Sequence, residues 1–410
     1  MQRTRRLTFR AAALPVLLAA AASTAGCFSY KEHRVAQIGI GPASRYEGEL
    51  PPVFAAADLL PAGLLKGRYH EVVADVPVME YHLLFIIRTP QGDIRALGRN
   101  MLELRLRELR AAELAIDLAD RHKVFPDVRA EVIKLFDRAV PVLADPVGAH
   151  ATQPEALLVD AGDELDATGR RAGSPYRRKL AAALGCDPGT YNPLLRGLLD
   201  ALAGKTQLSD AQLAAIPANN VRVSGVLDGE GEALRFFAAH TPEETVAEIR
   251  SRLKSAGAPD AAVDRFVANP SSTLAEKLVA SAVAARLKGI ENAGEALSHA
   301  GEVRNEITSL NRLAAVQRLA AEHERNPIVQ LRIGTAIGAR HKDGGVTVLL
   351  PGDYMTATKE LEDLVAAFRR KNPDAPARVF ALGAVSAQAR KLLEDAKFTV
   401  IETAPIGRKP

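Results

Sequence analysis

The sequence predicts a multidomain α+β fold, and three changes of texture along its 410 residues predict it. Residues 69–98 fall into short runs of β-branched and large apolar residues. Residues 126–326 carry helical spacing and repeated helix-start signals, and residues 327–405 alternate strand-like with helix-like segments. At 47 % hydrophobic residues, the chain has apolar material for two or three cores. The expected layout is a small α+β domain over 62–125, a mainly helical region over 126–326 and a C-terminal ββαβαβ domain over 327–405.

In the first of these, 71–78 and 81–89 read as extended, the second carrying Leu83-Leu84-Phe85-Ile86-Ile87. Pro90-Gln91-Gly92-Asp93 has the Pro and Gly of a turn, so 94–97 should return as a hairpin partner. Asn100 can then cap a helix over 101–122, in which Leu102, Leu106, Leu109, Ala112 and Ile116 fall on one stripe.

The middle reads as helices in series. An amphipathic stretch over 127–144 stops at Asp145-Pro146-Val147-Gly148. Ser174-Pro175 and Asn192-Pro193 each pair an N-cap residue with proline at the first helical position, and Gly185 ends the first of these helices. Thr241-Pro242-Glu243-Glu244 adds carboxylates at the positive end of the helix dipole. Over 273–325, Leu274, Leu278, Leu287, Ile290, Leu297, Ile307, Leu310, Leu313 and Leu319 mark two or three packed helices or a coiled coil. Gly294 and Gly301 leave room for close helix contact, within the chain or with a second copy.

In the last 80 residues, 329–340 and 346–350 read as a hairpin joined through 341–345. Helix 358–370, strand 378–382, helix 386–396 and strand 398–402 follow. Right-handed crossovers would make these strands parallel. A ligand site in such a sheet lies outside the carboxyl ends of its strands, here Pro351-Gly352-Asp353-Tyr354 and Gly383-Ala384-Val385-Ser386. Asp353, Tyr354 and Ser386 are therefore the ligand-binding candidates, although a turn residue and an ordinary N-cap are the simpler readings of Asp353 and Ser386.

The first 26 residues place Arg3, Arg5, Arg6 and Arg10 before an apolar run over 11–22 and the small residues Ser23-Thr24-Ala25-Gly26. That is the layout of an export signal, too short for a permanent membrane span. Ala25-Gly26-Cys27 resembles the lipobox of bacterial lipoproteins, which implies lipidation of Cys27 and anchoring in the cell envelope. Phe28 at the next position implies the outer membrane, with the body facing the periplasm. Residues 27–61, with Gly39, Gly41, Pro42, Gly48, Pro51 and Pro52, read as a tether. An ordinary signal peptide that leaves Cys27 free is the alternative.

Without the four arginines of residues 1–26, 49 Lys and Arg face 49 Asp and Glu, so the mature chain is neutral. A neutral chain with 5 % aromatics and no Trp lacks the basic, aromatic-studded surface of a nucleic-acid binder. If Cys27 is acylated, Cys186 has no partner for a disulfide and reads as a buried, inert thiol. The nine histidines nowhere stand at metal-ligand spacing on one helix, no Gly-x-Ser-x-Gly elbow is present, and no cofactor or metal is expected. Arg170, Arg171, Arg177, Arg178 and Lys179 form the densest basic cluster, read as a solvated face.

Four further motifs belong together: Ser174-Pro175-Tyr176-Arg177-Arg178-Lys179-Leu180, Asp187-Pro188-Gly189-Thr190-Tyr191-Asn192-Pro193, Leu350-Pro351-Gly352-Asp353-Tyr354 and the run over 381–390 that opens Ala381-Leu382-Gly383-Ala384. Their combination resembles a family of exported proteobacterial proteins with no assigned activity. Two functions remain open. One is an anchored, non-enzymatic binding or scaffold protein that takes a protein partner or associates with itself. The other is a hydrolase-like or small-ligand-binding enzyme with its site near the C-terminal domain.

Overall fold

The structure is a computed structural model that describes residues 48–90, 92–144, 173–269, 271–294, 306–333 and 337–403. Residues 1–26, Cys27, most of the expected tether, Arg170, Arg171 and Gly301 lie outside the described residues. The fold is mixed, with several sheets and many helices.

The chain enters as a three-residue strand, β1 (Val53–Ala55), followed by two single-turn helices, α1 (Ala56–Leu59) and α2 (Ala62–Leu65). An antiparallel sheet of β1, β2 (Glu71–Val72), β3 (Asp75–Met79), β4 (His82–Thr89) and β5 (Gly92–Leu97) follows, with β4 pairing β2, β3 and β5. The extended run expected over 71–78 is two strands: 71–72 pair with β4, where Val73 still donates its N–H to Ile86 O, and from Asp75 the chain pairs with β1 instead. Leu83, Phe85 and Ile87 on β4 are fully buried.

The long helix α3 (Arg99–Arg121) begins at Gly98 (φ 90°), not at Asn100. Asn100 lies inside the helix, where its amide donates to Asn311 Oδ1 at 2.9 Å. The middle region is built from α4 (Val128–Ala144), α5 (Pro175–Leu184), α6 (Pro193–Lys205), α7 (Asp210–Ala214), α8 (Glu230–Ala239), α9 (Pro242–Ser255), α10 (Asp260–Ala268), α11 (Leu274–Ala285) and α12 (Glu306–Arg325). Ser174, Asn192 and Thr241 each accept a backbone N–H as N-caps, and Gly185 ends α5 in the left-handed conformation. Over 273–325 the described residues form the separate helices α11 and α12. A side chain at Gly294 would meet Gly257 O at 2.6 Å, so this glycine permits a close backbone approach. One continuous apolar core runs from the N-terminal sheet through α3 into α11 and α12, with no break near residue 125.

The second sheet contains β6 (Ile328–Ile333), β7 (Ile337–His341), β8 (Val346–Leu350), β10 (Ala377–Ala381) and β12 (Phe398–Glu402), in the order β12-β10-β8-β7-β6. The segment expected as one strand over 329–340 is two antiparallel strands, with Ile333 opposite Ile337, so a three-strand meander replaces the expected hairpin. Strands β8, β10 and β12 are parallel. They are connected through α13 (Lys359–Lys371) and α14 (Ala387–Asp395), while β9 (Tyr354–Met355) and β11 (Ala384–Val385) form a short parallel ribbon beyond the carboxyl ends of β8 and β10.

Alternation assigns the two faces of this sheet. Val348, Leu350, Val379 and Ala381 pack with Leu361, Val365, Ala389 and Leu393 of α13 and α14. Leu349 and Phe380 pack with Leu287, Val316 and Leu319 from the helical region. The C-terminal sheet is therefore sandwiched between its own helices and those of the preceding region.

Candidate functional site

The three candidate side chains lie at the carboxyl ends of the parallel strands, and the chain itself supplies a partner for each. Asp353 follows β8 and reaches across to the N-terminal sheet. Its carboxylate accepts the Leu83 N–H at 3.1 Å and the Arg99 N–H at 3.3 Å, and His82 Nδ1 stands 3.5 Å away. Gly98 cannot cap α3 with a side chain, so Asp353 performs the cap from 254 residues away. A carboxylate there also meets the positive end of a 23-residue helix dipole. The Asp353 side chain is 12 % exposed and that of His82 8 %.

Around this contact the two halves interlock through backbone. Tyr354 donates its N–H to Tyr81 O at 3.0 Å, and the Tyr81 hydroxyl pairs with the Thr358 hydroxyl. The Tyr354 ring meets Phe54 of β1 edge-on, centroids 5.1 Å apart. Burial raises the pKa of the Tyr354 phenol, with Glu49 and Glu402 adding to the shift. Glu80 (φ 47°) and Tyr81 (φ 67°) form the two-residue turn between β3 and β4 with both φ angles positive. Neither residue is glycine, so the turn carries local strain of about 1–3 kcal/mol per residue, held by the contacts Tyr81 makes.

Close approach also explains the glycines of the two motifs. A Cβ at Gly383 would stand 1.8 Å from Asp353 O, and one at Gly352 would stand 2.7 Å from Tyr81 Cβ. The β9–β11 ribbon and the Tyr81 contact both need backbone at those positions.

Ser386 caps α14, its hydroxyl accepting the Ala389 N–H at 3.0 Å, and donates to Glu49 Oε2. Glu49 Oε2 also accepts the Ala357 N–H at 3.1 Å. One carboxylate from the segment ahead of β1 therefore sits beside the starts of both α13 and α14.

A second polar centre, in the helical region, escaped the sequence reading. Glu103, Arg105 and Glu108 of α3 are at most 3 % exposed. Glu103 Oε2 gathers the N–H groups of Val223, Ser224 and Gly225 at 2.6–2.8 Å. Arg105 bridges Glu108 at 2.7 Å and Glu306 of α12, while Glu108 also accepts from the Thr190 hydroxyl at 2.5 Å and the Asn192 amide at 3.2 Å. Arg107 lies 3.2 Å from Glu230, the first residue of α8. These groups tie α3 to α8, α12 and the 187–193 loop.

Burial works against the Arg105 charge, but Glu306 and Glu108 outweigh it and hold the guanidinium above its ordinary pKa. Burial pushes the Glu108 carboxyl up against the pull of Arg105. It pushes Glu230 up to about 8, with Arg107 opposing and Asp187, Glu103 and Glu108 adding. Cys186 is 4 % exposed, and burial raises its thiol pKa so that it stays protonated.

Leu104, Arg107, Glu108, Cys186, Thr190 and Glu230 line a cavity of about 10 Å³, near the lower limit for a single water. The signal for this centre lay in Leu102, Leu104 and Leu106, which point around more than one face of α3. Leucines spread around the helix over 101–109 bury this stretch on nearly every side, and its charges are buried with it.

Among the described residues no group of three or more His, Cys, Asp or Glu could hold a metal ion, and no helix is long and apolar enough to cross a membrane. No family model, curated protein or solved structure matches the chain.

Two outcomes follow for these centres. Asp353→Asn removes the charge at the α3 terminus and weakens two N–H contacts, so urea denaturation should show a loss of about 1–3 kcal/mol. An unchanged or raised midpoint would contradict the capping role. For Glu230, the unfolded carboxyl titrates near 4.5 and the folded one near 8, so the folded state holds the extra proton and stability falls as pH rises between those values. The stability of Glu230→Gln relative to wild type should therefore increase from pH 5 to pH 8, and a difference independent of pH would refute the assignment.

Proposed function

We propose that the chain is a lipid-anchored protein of the cell envelope, held through Cys27 at the outer membrane and facing the periplasm. Its folded body acts as a non-enzymatic binding or scaffold element for a protein partner. One observation carries this reading: Glu49, Asp353, Tyr354 and Ser386 fill the carboxyl edge of the C-terminal sheet with contacts inside the chain. In an open α/β sheet that edge is where a small ligand would be received. Here its polar groups hold the halves of the body together, which favours recognition through the outer surface over chemistry in a cleft.

The route back to the membrane supports the same reading. Gly48 and Glu49, which dock on this edge, are the first described residues after the segment that leads from Cys27. The 21 peptide units between Cys27 and Gly48 span at most about 75 Å. Two or three acyl chains at about 0.8 kcal/mol per buried methylene give lasting attachment, and the body would stay within reach of partners on the same membrane.

Fractionation combined with proximity crosslinking in intact cells tests both parts. Wild type should stay with membranes through a high-salt wash and capture a reproducible partner protein. The Cys27→Ser protein should move to the soluble fraction and lose that partner. Retention of Cys27→Ser in the membrane would refute the anchor, and a wild type that captures no partner would refute the binding role.

A further inference from the structure

The segment 48–55 crosses the junction between the two sheets and fastens to each in a different way. At its far end, β1 pairs with β3 over Val53, Phe54 and Ala55. Phe54 packs on Tyr354, and the next residue, Ala56, is 2 % exposed. That end belongs to the apolar core.

Its near end is held by polar contacts. Gly48 bridges Thr358, the Glu49 N–H donates to Ala357 O at 2.9 Å, and the Glu49 carboxylate accepts from the Ala357 N–H at 3.1 Å and the Ser386 hydroxyl. Leu50, the apolar residue next to Glu49, is 65 % exposed, so no buried apolar side chain secures this end. Pro51 and Pro52 lie between the two ends, with φ fixed by their rings, and keep the link stiff. Beneath the near end, Ser386 is 3 % exposed.

We propose that residues 48–55 form a strap whose Glu49 end releases as a unit while both cores stay folded. A pull or a partner acting on the chain ahead of Gly48 then uncovers Ser386 and the starts of α13 and α14. Regions held by few apolar contacts and by hydrogen bonds at the solvent boundary open at a fraction of the cost of global unfolding. The strap does not depend on whether Cys27 carries lipid.

Gly48 supplies a sharp test of the geometry. It holds φ 141°, and a Cβ there would stand 2.2 Å from Ala357 O, so Gly48→Ala should dislodge the strap end without touching the carboxylate. Glu49→Ala removes the carboxylate and leaves the backbone intact.

The experiment is amide hydrogen exchange on the full mature chain carrying Cys27→Ser, comparing Glu49→Ala and Gly48→Ala with the parent. Exchange at Glu49 and Ala357 should accelerate about tenfold or more in both variants, while amides of β8 and β10 change less than about twofold. No acceleration at Ala357 in either variant would show that the contacts do not hold the edge. Acceleration spreading through β8 and β10 would show that the strap end cannot part from the core. Either result overturns the proposal.

Discussion

The Asp353 carboxylate at the start of α3 is the contact on which the arrangement of the two halves depends. It leaves the end of β8 in the C-terminal sheet, accepts the Leu83 N–H in the N-terminal sheet and closes the Arg99 N–H at the head of the longest helix. A helix that opens on glycine has no capping side chain of its own, and a nearly buried terminus cannot rely on water. The cap has to come from elsewhere in the fold. Supplying it from the other sheet makes α3 and the junction interdependent.

From that terminus α3 runs through the interior, and its buried charges organise what surrounds it. Glu103 orders the 223–225 turn, Arg105 joins α3 to α12, and Glu108 fixes Thr190 and Asn192, the latter being the N-cap of α6. Removing one partner of such a network leaves a charge buried without compensation, commonly a loss of about 3–5 kcal/mol. Within the network burial raises the carboxyls of both Glu108 and Glu230, that of Glu230 to about 8. The cavity beside it is too small for any ligand beyond about one water.

Local signals in the sequence located most elements. The cap-and-proline pairs at Ser174-Pro175, Asn192-Pro193 and Thr241-Pro242 each open a helix, and the strand expected over 398–402 is β12. What failed was set by partners distant in the chain. Asn100 has the chemistry of a cap, yet Asp353 caps the helix from the other sheet, so the helix starts two residues earlier. The run over 329–340 suits a strand throughout, and only the pairing of Ile333 with Ile337 divides it. For the candidate site, the sequence located the carboxyl edge, Asp353, Tyr354 and Ser386, but gave no sign of Glu49, more than 300 residues away. The buried charges of α3 were legible only by noticing that its leucines surround the helix.

Asp353 and Tyr354 fasten the two halves together at the carboxyl edge of the C-terminal sheet. Native-state hydrogen exchange of the wild-type chain over a series of sub-denaturing urea concentrations tests it most directly, because a shared fastening makes distant elements open together. Amides of β4, of the first turns of α3 and of β8 and β10 should merge into one opening transition with the same urea dependence. Opening of β8 and β10 at lower free energy than β4 and α3, with a smaller urea dependence of its own, would contradict it.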